Sequence, residues 1–89
     1  MTITVCPTPN PNSLKFDIAG GSVIERDLLA FHSAREASDN PLGASLFALE
    51  GVASLLILPS FVTVTKHPDA SWDPLAENVE QVLVEHVAP

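Results

Sequence analysis

Three histidines, one cysteine and eleven carboxylates are the side chains of this 89-residue chain that could do chemistry. A structural zinc or iron–sulfur site takes about four thiolate or imidazole ligands converging on one point. Cys6, His32, His67 and His86 are spread along the sequence, with no CxxC and no HxxxH. The sequence therefore predicts no metal site within one chain and no cofactor. His67-Pro68-Asp69-Ala70-Ser71 carries the letters of a catalytic triad. Three residues that close in one loop rarely reach triad geometry, and no glycine-flanked nucleophile turn accompanies them. The loop is read as a run into a helix cap. His86 falls on the apolar face of the last predicted helix, as a core-edge histidine does. Glycines occur as Gly20-Gly21, Gly43 and Gly51, so no phosphate-cradling loop exists. No enzyme activity is expected.

The side chains best placed for recognition lie near Thr8-Pro9-Asn10-Pro11-Asn12-Ser13. Pro9 and Pro11 lock φ and push Thr8 and Asn10 toward extended geometry. Asn10 and Asn12 can bond nearby backbone and tolerate turns. Asn10, Asn12 and Lys15 fit either a rigid turn with locally satisfied amides or a polar contact surface.

The flanking segments are strands. Thr2 to Cys6 and Ser13 to Ile18 alternate in polarity, pointing Ile3, Val5, Leu14, Phe16 and Ile18 toward a core. Gly20-Gly21 breaks the second strand. From Ser22 to Ala30 there is no clean period, and residues 28–31 suit a short edge strand or a loop equally. Ser33 and Glu36 have capping-box spacing ahead of a helical turn. Asn40-Pro41 opens a helix carrying Leu42, Leu46 and Leu49 on one face, which Gly51 is expected to end. Val52 to Leu58 and Phe61 to Lys66 form a hairpin turning at Pro59-Ser60. A last helix opens near Ser71 or Asp73, with Pro74 in its first turn. Trp72, Leu75, Val79, Val82, Leu83 and His86 line its inner face, and Glu77, Glu80 and Glu85 lie away from it.

These elements predict a single α+β domain over residues 1–89: two layers, with a four-stranded, mainly antiparallel sheet of two hairpins and the helices on one face. The other sheet face is left open. Thr2, Thr4, Ser13, Lys15, Asp17, Thr63 and Thr65 suit water there, but the strand Val52–Leu58 is apolar on both sides. That mismatch points to an interaction surface, with Leu55, Ile57 and Phe61 as apolar contacts and Asn10, Asn12 and Lys15 along the rim.

Composition narrows the partner. Four Lys and Arg against eleven Asp and Glu give a net charge of −7. Such a surface repels nucleic acid and anionic lipid, so the expected partner is another protein. Hydrophobic residues make up 46% of the chain, yet no run approaches the ~18 apolar residues of a membrane span. One cysteine excludes an internal disulfide framework, and no basic and apolar leader opens the sequence. The expected location is the cytoplasm.

TPNPNSLKF from Thr8 to Phe16, Pro41-Leu42 through Leu46-Phe47, Glu50-Gly51-Val52, FVTVTK from Phe61 to Lys66, and Trp72-Asp73 stand in order. Together they closely resemble the amino-terminal domain of the Nfu/NifU-like iron–sulfur scaffold proteins. Residues 20–32 match that pattern poorly, and the apolar third strand is aliphatic where relatives often carry aromatics. In that family a second domain usually follows, whose CxxC holds a cluster bridged between protomers. No CxxC lies in these 89 residues. The resemblance therefore implies a non-catalytic accessory module of iron–sulfur assembly. Two alternatives are an iron-binding protein holding metal between chains through Cys6 with or without a histidine, and a homodimer that buries the aliphatic strand.

Overall fold

A computed structural model describes residues 2–20 and 28–86. Five strands form one antiparallel sheet: β1 (Thr2–Pro7), β2 (Ser13–Ala19), β3 (Leu29–Phe31), β4 (Val52–Ile57) and β5 (Phe61–Lys66), in the order β1-β2-β5-β4-β3. Two helices, α1 (Pro41–Phe47) and α2 (Trp72–His86), accompany it among the described residues. The four-stranded expectation is thus one strand short. The missing strand is β3, where Leu29, Ala30 and Phe31 pair with Ile57, Leu56 and Leu55. Three residues are too few for a period-2 signal to emerge, which is why the sequence left strand and loop level. β2 ends ahead of Gly20, whose φ of 82° few other residues adopt. The expectations for residues 21–27 lie outside the described residues.

The inner face of the sheet follows from register. Phe16 opposes Val62 and Leu14 opposes Val64, while across β5 Ile57 opposes Val62 and Leu55 opposes Val64. Phe16, Ile57, Val62 and Val64 are fully buried, together with Leu46, Val79 and Leu83 from the helices. A register shift between Val52 and Ser54 lets Val52 turn inward although it is three residues before Leu55. Ile3 and Leu14 pack against this core as expected, but Val5 is 36% exposed at the sheet margin.

Helix boundaries follow the capping signals, with one correction. The Asn40 side chain accepts the Gly43 N–H at 2.8 Å, and Pro41 fills the first helical position. Asn40→Ala should cost about 1 kcal/mol. For a domain of this size, that corresponds to a melting-temperature drop of roughly 4–8 °C, checked by thermal denaturation. α1 stops at Phe47 and is capped by Ala48 in helical geometry, so Gly51 does not terminate it. Gly51 instead makes the corner into β4 at φ 105°. The segment after β3 is a turn in which Glu36 N–H meets Ser33 Oγ at 3.3 Å and Glu36 Oε1 accepts the His32 N–H at 3.0 Å. In α2, Asp73 is non-helical (φ −108°, ψ 110°), so the regular helix begins at Pro74.

Candidate functional site

The helix-free face of the sheet is built from the residues that alternate with the core. A transverse row runs across it from Cys6 through Lys15, Thr63 and Leu56 to Ala30, each directly opposite the next. Beside it, Thr4 opposes Asp17 and Asp17 opposes Phe61. The Lys15 Nζ stands 4.5 Å from the centroid of the Phe61 ring, a cation–π pair that holds the ammonium over the middle of the face. On the other side of the row, the Ser13 and Thr65 hydroxyls share a hydrogen bond of 2.7 Å.

Two residues expected on this face are elsewhere. Leu55 is 3% exposed and Ile57 is 0% exposed, so both belong to the core beneath the helices. Leu56 takes the outward position between them and is half-buried. Phe61 and Lys15 both lie on this face, adjacent and half-buried, with Lys15 over the ring rather than along the rim where it was expected. The run Ala53-Ser54-Leu55-Leu56-Ile57-Leu58 is apolar on both parities apart from one serine, so composition could not select the outward set. Leu56 could have been found from the hairpin itself. A Pro59-Ser60 turn places Leu58 opposite Phe61 and Ile57 opposite Val62, and the Val62/Thr63 alternation then assigns the faces.

Asn10 and Asn12 serve the loop first. Asn10 Oδ1 accepts the Asn12 N–H at 2.9 Å, and the Thr8 hydroxyl lies 2.9 Å from both the Asn10 and Ser13 carbonyl oxygens, its one proton shared between them. Asn12 Oδ1 accepts from Lys66 Nζ at 2.9 Å, and its carbonyl takes the Lys66 N–H at 2.7 Å. Lys66 is only 8% exposed and ends the inner column of β5; its ammonium also reaches the His67 carbonyl at 3.4 Å. Trp72 Nε1 donates to the Pro11 carbonyl at 3.1 Å. The loop is therefore pinned at Asn12 by β5 and at Pro11 by the start of α2. Nothing in the sequence marked Lys66 as the second pin.

Among the described residues, the other candidates form no reactive constellation. His67, Asp69 and Ser71 are exposed, and their loop is organised by Ala70 N–H to the His67 carbonyl at 2.9 Å and Asp73 N–H to Ser71 Oγ at 3.2 Å. A cleft of about 280 Å³ between the Glu50-Gly51 corner and the start of α2 is lined by Glu50, Asp73, Ser71 and Asn78. Among the described residues, no three His, Cys, Asp or Glu side chains are grouped to hold a metal. Every buried side-chain N or O described has a hydrogen-bond partner. Cys6, half-buried on β1 opposite Lys15, is a lone thiol. That donor set does not fit an iron–sulfur cluster held by one chain.

Comparison with known proteins decides the lineage. The family model for the scaffold protein Nfu/NifU N-terminal domain matches residues 3–89. The chain belongs to the Nfu/NifU N-terminal family. Human "NFU1 iron-sulfur cluster scaffold homolog, mitochondrial" is 38% identical over 89 residues, covering 99% of this chain and 35% of that protein. "NifU-like protein 5, mitochondrial" of Arabidopsis thaliana is 38% identical over 85 residues, covering 96% and 30% respectively. This Nfu-type chain thus spans about a third of the length of those relatives. Among solved structures, protein SAV1430 of Staphylococcus aureus superposes with a TM-score of 0.75 at 25% identity, covering 93% of this chain and 99% of that one. A NifU-like protein of Saccharomyces cerevisiae reaches 0.83 at 24% identity, covering 94% and 76%, and shares the fold. No described helix is long and apolar enough to cross a membrane.

Proposed function

We propose that this Nfu-type domain is a non-catalytic recognition module that binds another protein of iron–sulfur cluster assembly through the helix-free face of its sheet. The observation that carries this reading is the Lys15–Phe61 pair beside Leu56. A solvated sheet face needs neither a half-buried aromatic nor an outward leucine at its centre. Here both sit among threonines, with Lys15 held over the ring and Asp17 next to it. An apolar centre with a polar rim is the usual anatomy of a protein-binding patch. Asn10 and Asn12, expected along the rim, spend their Oδ1 atoms on the Asn12 N–H and on Lys66, so the polar rim of the patch falls to Lys15, Asp17 and the threonines. Membership of a family whose relatives are iron–sulfur scaffolds supports a partner in that pathway. The single thiol favours a reducing compartment, and we assign the cytoplasm; the names of the two relatives described place those proteins in mitochondria.

The test is calorimetric titration of the domain with a separately expressed scaffold domain bearing a CxxC. Lys15→Glu and Leu56→Glu should each weaken binding by about 2 kcal/mol, roughly 30-fold, while the far-ultraviolet circular dichroism stays that of the parent. Unchanged affinity in both folded variants removes the proposal.

A further inference from the structure

The sheet carries little charge. Across all five strands the charged side chains are Lys15, Asp17 and Lys66. Lys66 is buried at the end of the inner column, where its ammonium meets Asn12 and the His67 carbonyl. The strands therefore give the helix-free face one cation and one anion, two residues apart on β2. Every other described carboxylate lies off the strands. In a chain of net charge −7, this face is locally neutral.

The two charges have fixed places in the register. Lys15 stands opposite Cys6 on β1 and Thr63 on β5, while Asp17 stands opposite Thr4 and Phe61. Their Cα atoms are about 7 Å apart along the strand. The Lys15 side chain leans along β2 to place its ammonium 4.5 Å from the centroid of the Phe61 ring, the cross-strand neighbour of Asp17. An aromatic ring holds a cation without cancelling its charge, as a carboxylate would. Asp17 itself is exposed. The patch around Phe61 and Leu56 thus shows an approaching surface one held positive charge and one negative charge, with hydroxyl and apolar groups around them.

We propose, resting on the docking reading above, that the order of Lys15 and Asp17 selects the partner: a protein surface of mixed sign that sets a carboxylate against Lys15 and a lysine or arginine against Asp17, around its apolar contact with Phe61 and Leu56. Charge complementarity singles out this occupant. A uniformly basic surface is drawn by the net charge of −7 but meets Lys15 with like charge at the centre of the patch. A uniformly acidic surface, such as the Glu77, Glu80 and Glu85 side of another copy, is repelled by the net charge and by Asp17. A wholly apolar surface would bury both charges without a counter-charge. The mixed surface alone satisfies both positions, and the like-charge contacts it avoids are what exclude the others.

Two double variants test this by calorimetric titration with the separately expressed CxxC scaffold domain. The exchange variant combines Lys15→Glu with Asp17→Lys, and the neutralised variant combines Lys15→Met with Asp17→Asn. Both keep the net charge at −7, so long-range attraction is the same as in the parent. In the exchange variant the cation at position 17 stands directly opposite Phe61, which keeps the ring within its reach. With the circular dichroism of the parent retained, the exchange variant should bind at least about tenfold more weakly than both the parent and the neutralised variant. An exchange variant that binds like the parent overturns the inference, because the two charges then serve only each other. One that binds no more weakly than the neutralised variant also overturns it, because loss of packing then accounts for the effect. Leu56→Glu keeps the two readings apart: if it weakens binding while the exchange variant is silent, docking through this face stands and the charge order falls. A parent with no affinity for the scaffold domain removes both.

Discussion

Ile57→Glu should leave no folded domain. Ile57 is 0% exposed, opposite Val62 in the middle of the inner sheet face. Isolating a carboxylate there costs several kcal/mol even after it takes up a proton, against a total stability of about 5–15 kcal/mol for a domain of ordinary size. Ile57→Ala keeps the site apolar and should cost about 2–5 kcal/mol, read as a lower urea midpoint at unchanged slope. Leu56→Glu, one residue earlier on the outer face, should shift that midpoint by less than about 1 kcal/mol. The contrast between adjacent positions is a direct check of strand orientation. Near-equal effects at Leu56 and Ile57 would refute the inward assignment of Leu55 and Ile57.

Gly51→Val should be the second most damaging change, for two separate reasons. At φ 105° the backbone occupies a region that L side chains rarely adopt, and a β-branched residue suffers most there. A Cβ at this position would also lie 2.9 Å from Ala70 Cβ and 3.4 Å from Leu75 Cδ2, so the corner and the start of α2 must separate. The Gly51 carbonyl accepts the His67 N–H at 2.8 Å, which couples this corner to the end of β5. A loss of about 3 kcal/mol or more is expected from strain and overpacking together. Gly51→Ala shares the φ penalty and the near contact but lacks the branched Cβ, so it should lose less. A Val variant as stable as the parent in urea titration would refute this account.

Much of the architecture was legible because it rests on local rules. The alternation in Ser13–Ile18 and Phe61–Lys66 located β2 and β5, and Asn40-Pro41 fixed the start of α1 through a cap that the structure reproduces. Illegible features depended on pairing. β3 has too few residues to show a period and exists because β4 offers it a partner. Gly51 looked like a helix stop because glycine serves both helix ends and positive-φ corners, and only the earlier end of α1, at Phe47 with Ala48 as its cap, tells them apart. The candidate site was half legible. Lys15 and Phe61 lie on an alternating strand face, whereas Leu55 and Ile57 sit in a run with no polarity contrast. Their orientation had to be carried across the hairpin from Val62 and Val64.

Trp72 is the chain's single tryptophan, and its indole N–H is tied to the carbonyl of Pro11, sixty-one positions away. Its emission is therefore a built-in optical gauge of whether the β1–β2 loop is seated against the start of α2. A red shift without loss of circular dichroism would report that this one seam had parted while the rest of the protein stayed intact.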